Sequence, residues 1–147
     1  MRNLLDALKP GPMGIDTAIF IYFIEEHPRY FSVVETLFQA LEKGFVQGIT
    51  SEMTLLETLI HPLRNQNQQL AQEYEAILTQ SRNLHLIELT IPLLRIAAQL
   101  RADTGMKTPD ALQIAAALSM TCPVFVTNDR QLPPIEGLQI LQLEELV

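Results

Sequence analysis

The sequence predicts an α/β fold built on a parallel sheet, and three observations lead there. Short apolar runs alternate along the chain with stretches of helical periodicity. Strands that alternate with helices imply right-handed crossovers and a sheet covered on both faces. Hydrophobic residues make up 48% of the 147 positions and charged residues 18%, enough to build a core and too apolar for global disorder.

The elements follow in order. Residues 1–12 read as an N-terminal arm closed by the breaker cluster Pro10-Gly11-Pro12, and residues 13–147 as one domain. Met13-Gly14-Ile15 is a short buried strand that ends at Asp16. Residues 17–24 are apolar on nearly every side, as in a buried helix. From Arg29, the spacing of Val33, Val34, Leu37, Phe38 and Leu41 is helical and stops at Gly44. Residues 45–49 read as the second strand, weakened by Gly48. Ser51 caps a helix that is expected to run to about His61, before Pro62. The polar stretch 64–69 is a loop or the start of a helix through Leu70, Tyr74, Ile77 and Leu78. Residues 84–89 form the third strand, and a helix from Ile91 to Thr104 stops at Gly105. Thr108 as N-cap and Pro109 at the first helical position start a helix reaching about Met120. Residues 123–127 and 138–141 complete five strands. The order 3-2-1-4-5, a common solution for five strands, is taken as an assumption.

Composition excludes several classes. No run approaches the roughly 18 apolar residues of a membrane helix, and the first nine residues lack a secretory apolar region. A single cysteine, Cys122, rules out an intrachain disulfide and a cysteine-built metal site, and reads as a plain, half-buried thiol. The cytoplasm is the expected location. Ten Lys and Arg stand against seventeen Asp and Glu, a net charge of −7, which is unlike a generic phosphate-backbone binder. An acidic solvated surface explains such a balance, and so do acids that serve as metal ligands; position has to separate the two.

Parallel sheets bind ligands beyond the carboxyl ends of their strands. Asp16 follows the first strand directly, and Asp129 lies two residues past the fourth. With the order 3-2-1-4-5 these strands are neighbours and their acids face one crevice. Asp110 sits in the first turn of its helix, where the dipole favours a negative charge by roughly 0.3–1 kcal/mol. Each aspartate also has an ordinary structural reading: N-cap for Asp16, helix-start acid for Asp110, turn residue for Asp129. Glu57 differs. Met53, Leu56 and Ile60 form an apolar stripe expected to face the protein, so Glu57 beside it points partly inward. There it needs a hydrogen-bond donor, a cation or a raised pKa, and no Lys or Arg lies within one helical turn. Four carboxylates make an all-oxygen donor set suited to Mg²⁺ or Mn²⁺, which makes phosphodiester hydrolysis the reaction class to test.

These residues fall in a recognisable pattern. Residues 100–118, with Thr108-Pro109-Asp110-Ala111 at their centre, resemble the third-acid region of PIN-domain proteins, most of all the toxin subunits of the virulence-associated (VapC-like) toxin–antitoxin pairs. Val126-Thr127-Asn128-Asp129-Arg130 resembles the fourth-acid motif, residues 15–20 the first, and residues 51–57 the second. The resemblance covers about residues 13–143. It implies a three-layer α/β/α fold, Mg²⁺- or Mn²⁺-dependent endoribonuclease activity, homodimerisation and a neutralising antitoxin partner. It assigns Asp16, Glu57, Asp110 and Asp129 as the acidic quartet that carries catalysis and binds metal, Asp16 and Asp110 most directly. Thr127 becomes an orienting hydroxyl and Asn128 a secondary contact. Arg101, Lys107 and Arg130 adjoin the motifs as candidate contacts to RNA phosphates, although each residue type is more often a solvated surface charge.

Other features carry less. His27, His61 and His85 lack metal-ligand spacing, and His61 reads as a helix-end histidine. Leu93, Leu94, Ile96, Ala97 and Leu100 are core or dimer interface. Tyr22, Phe23, Tyr30 and Phe31 line either a partner groove or the core, the core being the commoner fate. A PIN-like interaction module with weak or no nuclease activity is the alternative function. An aspartate-phosphorylating protein fits poorly: a dehalogenase-type nucleophile wants an acid where Ala18 stands, and the paired acids and downstream lysine of receiver domains are missing.

Overall fold

A computed structural model describes residues 11–147, so all but the last two residues of the expected N-terminal arm lie outside the described residues. Five strands, β1 (Met13–Ile15), β2 (Gly48–Ser51), β3 (Leu84–Ile87), β4 (Val124–Thr127) and β5 (Gln139–Gln142), form one sheet. The order is β3-β2-β1-β4-β5 and every pairing is parallel, as the alternation of elements implied. The helices are α1 (Thr17–Ile24), α2 (Phe31–Glu42), α3 (Glu52–Arg64), α4 (Gln68–Gln80), α5 (Ile91–Thr104) and α6 (Thr108–Ser119), and a 3₁₀ turn spans Leu143–Leu146.

The sheet has a core on each face because side chains alternate along every strand. Met13 and Ile15 of β1 and Val124 and Val126 of β4 join Ile19, Phe20, Val34, Leu37 and Leu78 from α1, α2 and α4. On the other face Ile49 and Phe125 meet Leu93 and Ala97 of α5 and Ala111 to Ala117 of α6. The three layers are therefore α/β/α. Helix α6 is buried from Ala111 through Ala117, and its small side chains let it lie close against the sheet. At Gly14 an added Cβ would stand 2.9 Å from Ala117 Cβ and 2.6 Å from the Phe125 ring, so this approach needs glycine.

Several sequence expectations shift. The second strand begins at Gly48 rather than residue 45, and Phe45 is exposed. Helix α3 does not stop before Pro62. It runs through that buried proline to Arg64, where Asn65 N–H closes onto the His61 carbonyl. Its stripe is partly reversed: Met53 packs against the core as expected, but Leu56 and Ile60 face outward at 55% and 46% exposure, whereas Thr54, Thr58 and Pro62 are buried. The buried face mixes apolar contacts of Met53 and Leu55 with threonines, of which Thr54 belongs to a hydrogen-bonded network. Thr108 is the first residue of α6 rather than its capping side chain, the cap position being Lys107. Thr108 Oγ1 instead accepts from Arg101 Nη1 at 3.0 Å. Cys122 is fully buried, not half-buried, and burial pushes its thiol up to about 11. Helix α5 keeps its expected span, and Gly105 ends it in the left-handed region at φ 75°. Of its apolar face, Leu93 and Ala97 are core while Leu94 is exposed. No described helix is long and apolar enough to cross a membrane.

Candidate functional site

The pairing of β1 with β4 brings Asp16 and Thr127 together at the carboxyl edge of the sheet. Asp16 is the N-cap of α1, and its two oxygens are divided between elements. Oδ1 accepts from Thr17 N–H at 2.9 Å, and Oδ2 accepts from Thr127 Oγ1 at 2.6 Å. Thr127 is fully buried and its oxygen also accepts from Asp129 N–H at 3.0 Å, so one hydroxyl holds the loop after β4 against the end of β1. Asp129 Oδ1 in turn accepts from Gln131 N–H, as an aspartate in a turn does.

Asp16 is the common neighbour of the other three acids: Glu57, Asp110 and Asp129 all lie within electrostatic reach of it. Burial raises the Asp16 pKa above the ordinary aspartate value. The Thr127 hydroxyl and Thr17 N–H oppose that rise, and the charges of Glu57 and Asp129 add to it. Asp110 is raised as well, by burial first and then by Asp16 and Asp129, against a smaller lowering by Lys107. Among the described residues the one ion pair is Arg29–Glu144, so none of the four acids has a Lys or Arg at salt-bridge distance.

The cluster is a gathering of charge rather than a closed cage. Among the described residues no three His, Cys, Asp or Glu side chains are grouped as the ligands of a metal ion. Glu57 reaches inward as the sequence implied, but from the polar face of α3, and its partner is a donor: Thr17 Oγ1 gives it a hydrogen bond of 2.8 Å. Behind that bond lies a buried network of Thr50, Thr54 and Gln113. Sequence reasoning missed Thr17 and Gln113. The signal was present in each case as a polar residue inside an otherwise apolar helix, Gln113 three positions after Asp110.

The secondary residues are placed as follows. Asn128 Nδ2 donates to Tyr22 OH at 3.3 Å, on α1. Tyr22, His27 and Tyr30 pack ring against ring with centroids 4.8–4.9 Å apart, and Tyr22 and Tyr30 are half-buried against the core. Arg101 donates to the Met106 carbonyl and to Thr108, which ties down the turn that delivers Asp110. Lys107 and Arg130 are exposed. Lys107, Asp110, Gln131 and Leu132 help to line a hollow of about 200 Å³ at this edge. His61 is exposed and bonds to Asn65.

Fold and site together define an acidic α/β/α protein whose carboxylates converge at the topological switch point of a parallel sheet. The PIN domain model matches residues 13–138, and the chain belongs to the PIN-domain family. The fold is similar to that of DNA-bound VapBC from Salmonella typhimurium, with a TM-score of 0.71 at 19% identity over 90% of this chain and 98% of that one. It is similar also to VapBC2 from Rickettsia felis bound to a promoter DNA fragment, at TM-score 0.69 and 19% identity, covering 88% and 96%. VapC20 of Mycobacterium tuberculosis, a sarcin–ricin loop cleaving toxin, aligns at TM-score 0.66 and 16% identity over 81% and 91%. No curated protein matches the chain.

Proposed function

We propose that this protein is a metal-dependent endoribonuclease, the toxin member of a toxin–antitoxin pair. The observation that carries the reading is the gathering of Glu57, Asp110 and Asp129 around Asp16, uncompensated by any Lys or Arg at ion-pair distance among the described residues. Carboxylates held so close repel one another, and a cation offsets that cost. Membership of the PIN-domain family and the likeness to a toxin described as cleaving the sarcin–ricin loop support RNA as the substrate.

The donor set suits a hard divalent cation, since it is all oxygen and several carboxylate lone pairs are not taken up by the contacts above. Asp16 and Asp110 would hold Mg²⁺ or Mn²⁺ most directly, with Glu57 and Asp129 completing the set. When bound, such a cation lowers the pKa of a water and offsets charge on a phosphate during hydrolysis. The chain's own residues orient these acids. Thr127 holds Asp16 and the Asp129 turn together, Thr17 holds Glu57, and Arg101 fixes the turn before Asp110. Arg101, Lys107 and Arg130, all exposed, would contact RNA phosphates, and Asn128 would be a secondary contact. An antitoxin and a second copy of this chain are the proposed protein partners. The outward Leu56, Ile60 and Leu63 of α3 and Ile91 and Leu94 of α5 supply apolar surface for such contacts.

A second reading is a PIN-like interaction module with little or no nuclease activity. It is favoured by one observation: no three acids stand grouped as metal ligands among the described residues. Cleavage of a mixed RNA substrate by purified protein in Mg²⁺, in Mn²⁺ and in excess chelator, beside Asp110→Asn, decides between the two. Metal-dependent cutting that the variant lacks establishes the nuclease. Folded, antitoxin-free wild type that cuts in neither metal favours the interaction module.

A further inference from the structure

Gln113 sits in the middle of α6 with 2% of its surface exposed, between Leu112 and Ile114. A primary amide buried there must find partners for two donors and an acceptor. Its orientation is settled by Ser51 N–H, which can only donate and lies 3.2 Å from Oε1. Nε2 therefore points the other way, toward Thr17 Oγ1 at 2.9 Å and Thr54 Oγ1 at 2.5 Å.

Thr50 has two acceptors in reach, the Ile15 carbonyl at 3.0 Å and Gln113 Oε1 at 3.4 Å, and the nearer carbonyl takes its proton. Thr54, having accepted from Gln113, gives its proton to Thr50 Oγ1 at 2.6 Å. Thr17 has also accepted from Gln113, and its proton goes to Glu57 Oε1 at 2.8 Å. Turned inward, the Thr17 hydroxyl would meet the neutral Thr54 oxygen at 3.2 Å, whereas the Glu57 carboxylate oxygen is nearer and the stronger acceptor. The amide donates to the Thr17 oxygen from the buried side, and the Thr17 proton goes outward to Glu57. Five elements meet at this network: β1, α1, β2, α3 and α6.

We infer that Gln113 is a positioning residue for the Glu57 carboxylate, acting through the Thr17 hydroxyl; its bearing on catalysis rests on the nuclease reading above. The Gln113 side chain makes its hydrogen bonds to Thr17, Thr50, Ser51 and Thr54 and to none of the four acids. Its part is to hold one proton in one direction, so that the Glu57 carboxylate keeps a single orientation toward Asp16. Outer partners that orient a metal-binding carboxylate commonly matter by roughly ten- to a hundredfold in affinity or activity.

The test uses chelator-washed full-length protein as wild type, Gln113→Met, Thr17→Val, Thr17→Ser and the double variant Gln113→Met with Thr17→Val. Methyl–backbone NMR couplings report the Thr17 rotamer, and the Glu57 carboxylate carbon shift reports its environment, both without metal. The expected result is one Thr17 rotamer in wild type, averaged couplings in Gln113→Met and a moved Glu57 signal in both single variants. Mn²⁺ titration calorimetry is expected to show binding weakened by roughly ten- to a hundredfold in each single variant, with Thr17→Ser close to wild type. The double variant is expected to be no worse than either single, because the two residues act in series. In RNA cleavage kcat falls while KM holds. Unchanged Thr17 couplings and an unmoved Glu57 signal in Gln113→Met, or additive losses in the double variant, overturn the inference. If wild type neither binds Mn²⁺ nor cuts RNA, the nuclease reading fails while the NMR comparison still decides whether Gln113 positions Glu57. Gln113→Glu, which keeps the side chain's length but not its pair of donors, takes the place of Gln113→Met if that variant does not fold.

Discussion

Thr127 and Asp16, 111 positions apart in the sequence, are joined by a 2.6 Å hydrogen bond from the threonine hydroxyl to Asp16 Oδ2. The same oxygen receives the Asp129 backbone N–H. A single buried side chain therefore sets the position of two of the four acids, one by its proton and the other by its lone pair.

Thr127→Val keeps the shape of that side chain and removes both bonds. The expected cost is about 1–3 kcal/mol of stability, since Asp129 N–H and Asp16 Oδ2 each lose a partner in a partly buried setting. Urea denaturation measures this, and Thr127→Ser is expected to recover most of it. RNA cleavage should fall in the valine variant and return in the serine variant. Equal cleavage by all three proteins would show that the hydroxyl plays no part in placing the acids.

Asp110→Asn is expected to fold, to lose cleavage and to melt at a higher temperature than wild type at pH 7. The sign follows from the raised pKa of Asp110, which burial and the charges of Asp16 and Asp129 cause. A carboxyl whose pKa is higher folded than unfolded favours folding when protonated, so its ionisation costs stability as the pH rises through that range. Melting curves of the two proteins should converge below the ordinary aspartate value of 3.8. A variant that melts lower at pH 7 and still cuts RNA would remove Asp110 from the proposed mechanism.

The surface pair of Glu144 with Arg29 and Tyr30 gives the opposite slope. Hydrogen bonds from Arg29 and Tyr30 hold Glu144 down to about 2. A depressed carboxylate stabilises the fold above its ordinary value of 4.5, and that contribution disappears as the pH falls toward 2. Glu144→Gln is expected to melt slightly lower than wild type at pH 7, less so in high salt, with the gap narrowing as the pH falls from the ordinary value of 4.5 toward 2. A deficit that persists unchanged at pH 2 would mean that packing of the 3₁₀ turn, not charge, holds this corner.

Leu56→Ser and Leu63→Ser are expected to change the unfolding free energy of the monomer by no more than about 0.5 kcal/mol, because both side chains face outward. Denaturation at low protein concentration tests the monomer. Repeating it at high concentration tests the proposed dimer, since a loss that appears only there locates these leucines in the interface.

Much of the architecture was legible in order. Alternating apolar runs and helical periods gave the α/β class, and Gly105 marked the end of α5 at the expected residue. Boundaries moved where local signals compete with packing: β2 starts at Gly48 because register with β1 and β3 begins there, and Pro62 is tolerated inside α3. The stripe of α3 was misread because hydrophobicity alone chose Leu56 and Ile60 as its inner face. Met53 does pack inward, but the fully buried residues are Thr54, Thr58 and Pro62, and no local rule marks a threonine as buried until its hydrogen-bond partners on other elements are known.

The sequence by itself determined the class of fold and the succession of strands and helices, and it marked Asp16, Asp110 and Asp129 at the edges of their elements. Those properties are written in neighbouring residues, through periodicity and the chemistry of strand ends and helix starts. The tertiary structure alone decided that β1 lies between β2 and β4, that Asp16 is within electrostatic reach of the other three acids, and that Gln113 bonds Thr17, which bonds Glu57. Hydrogen bonds between residues 40 to 111 positions apart make that site, and no pattern of neighbouring residues announces such long-range pairs.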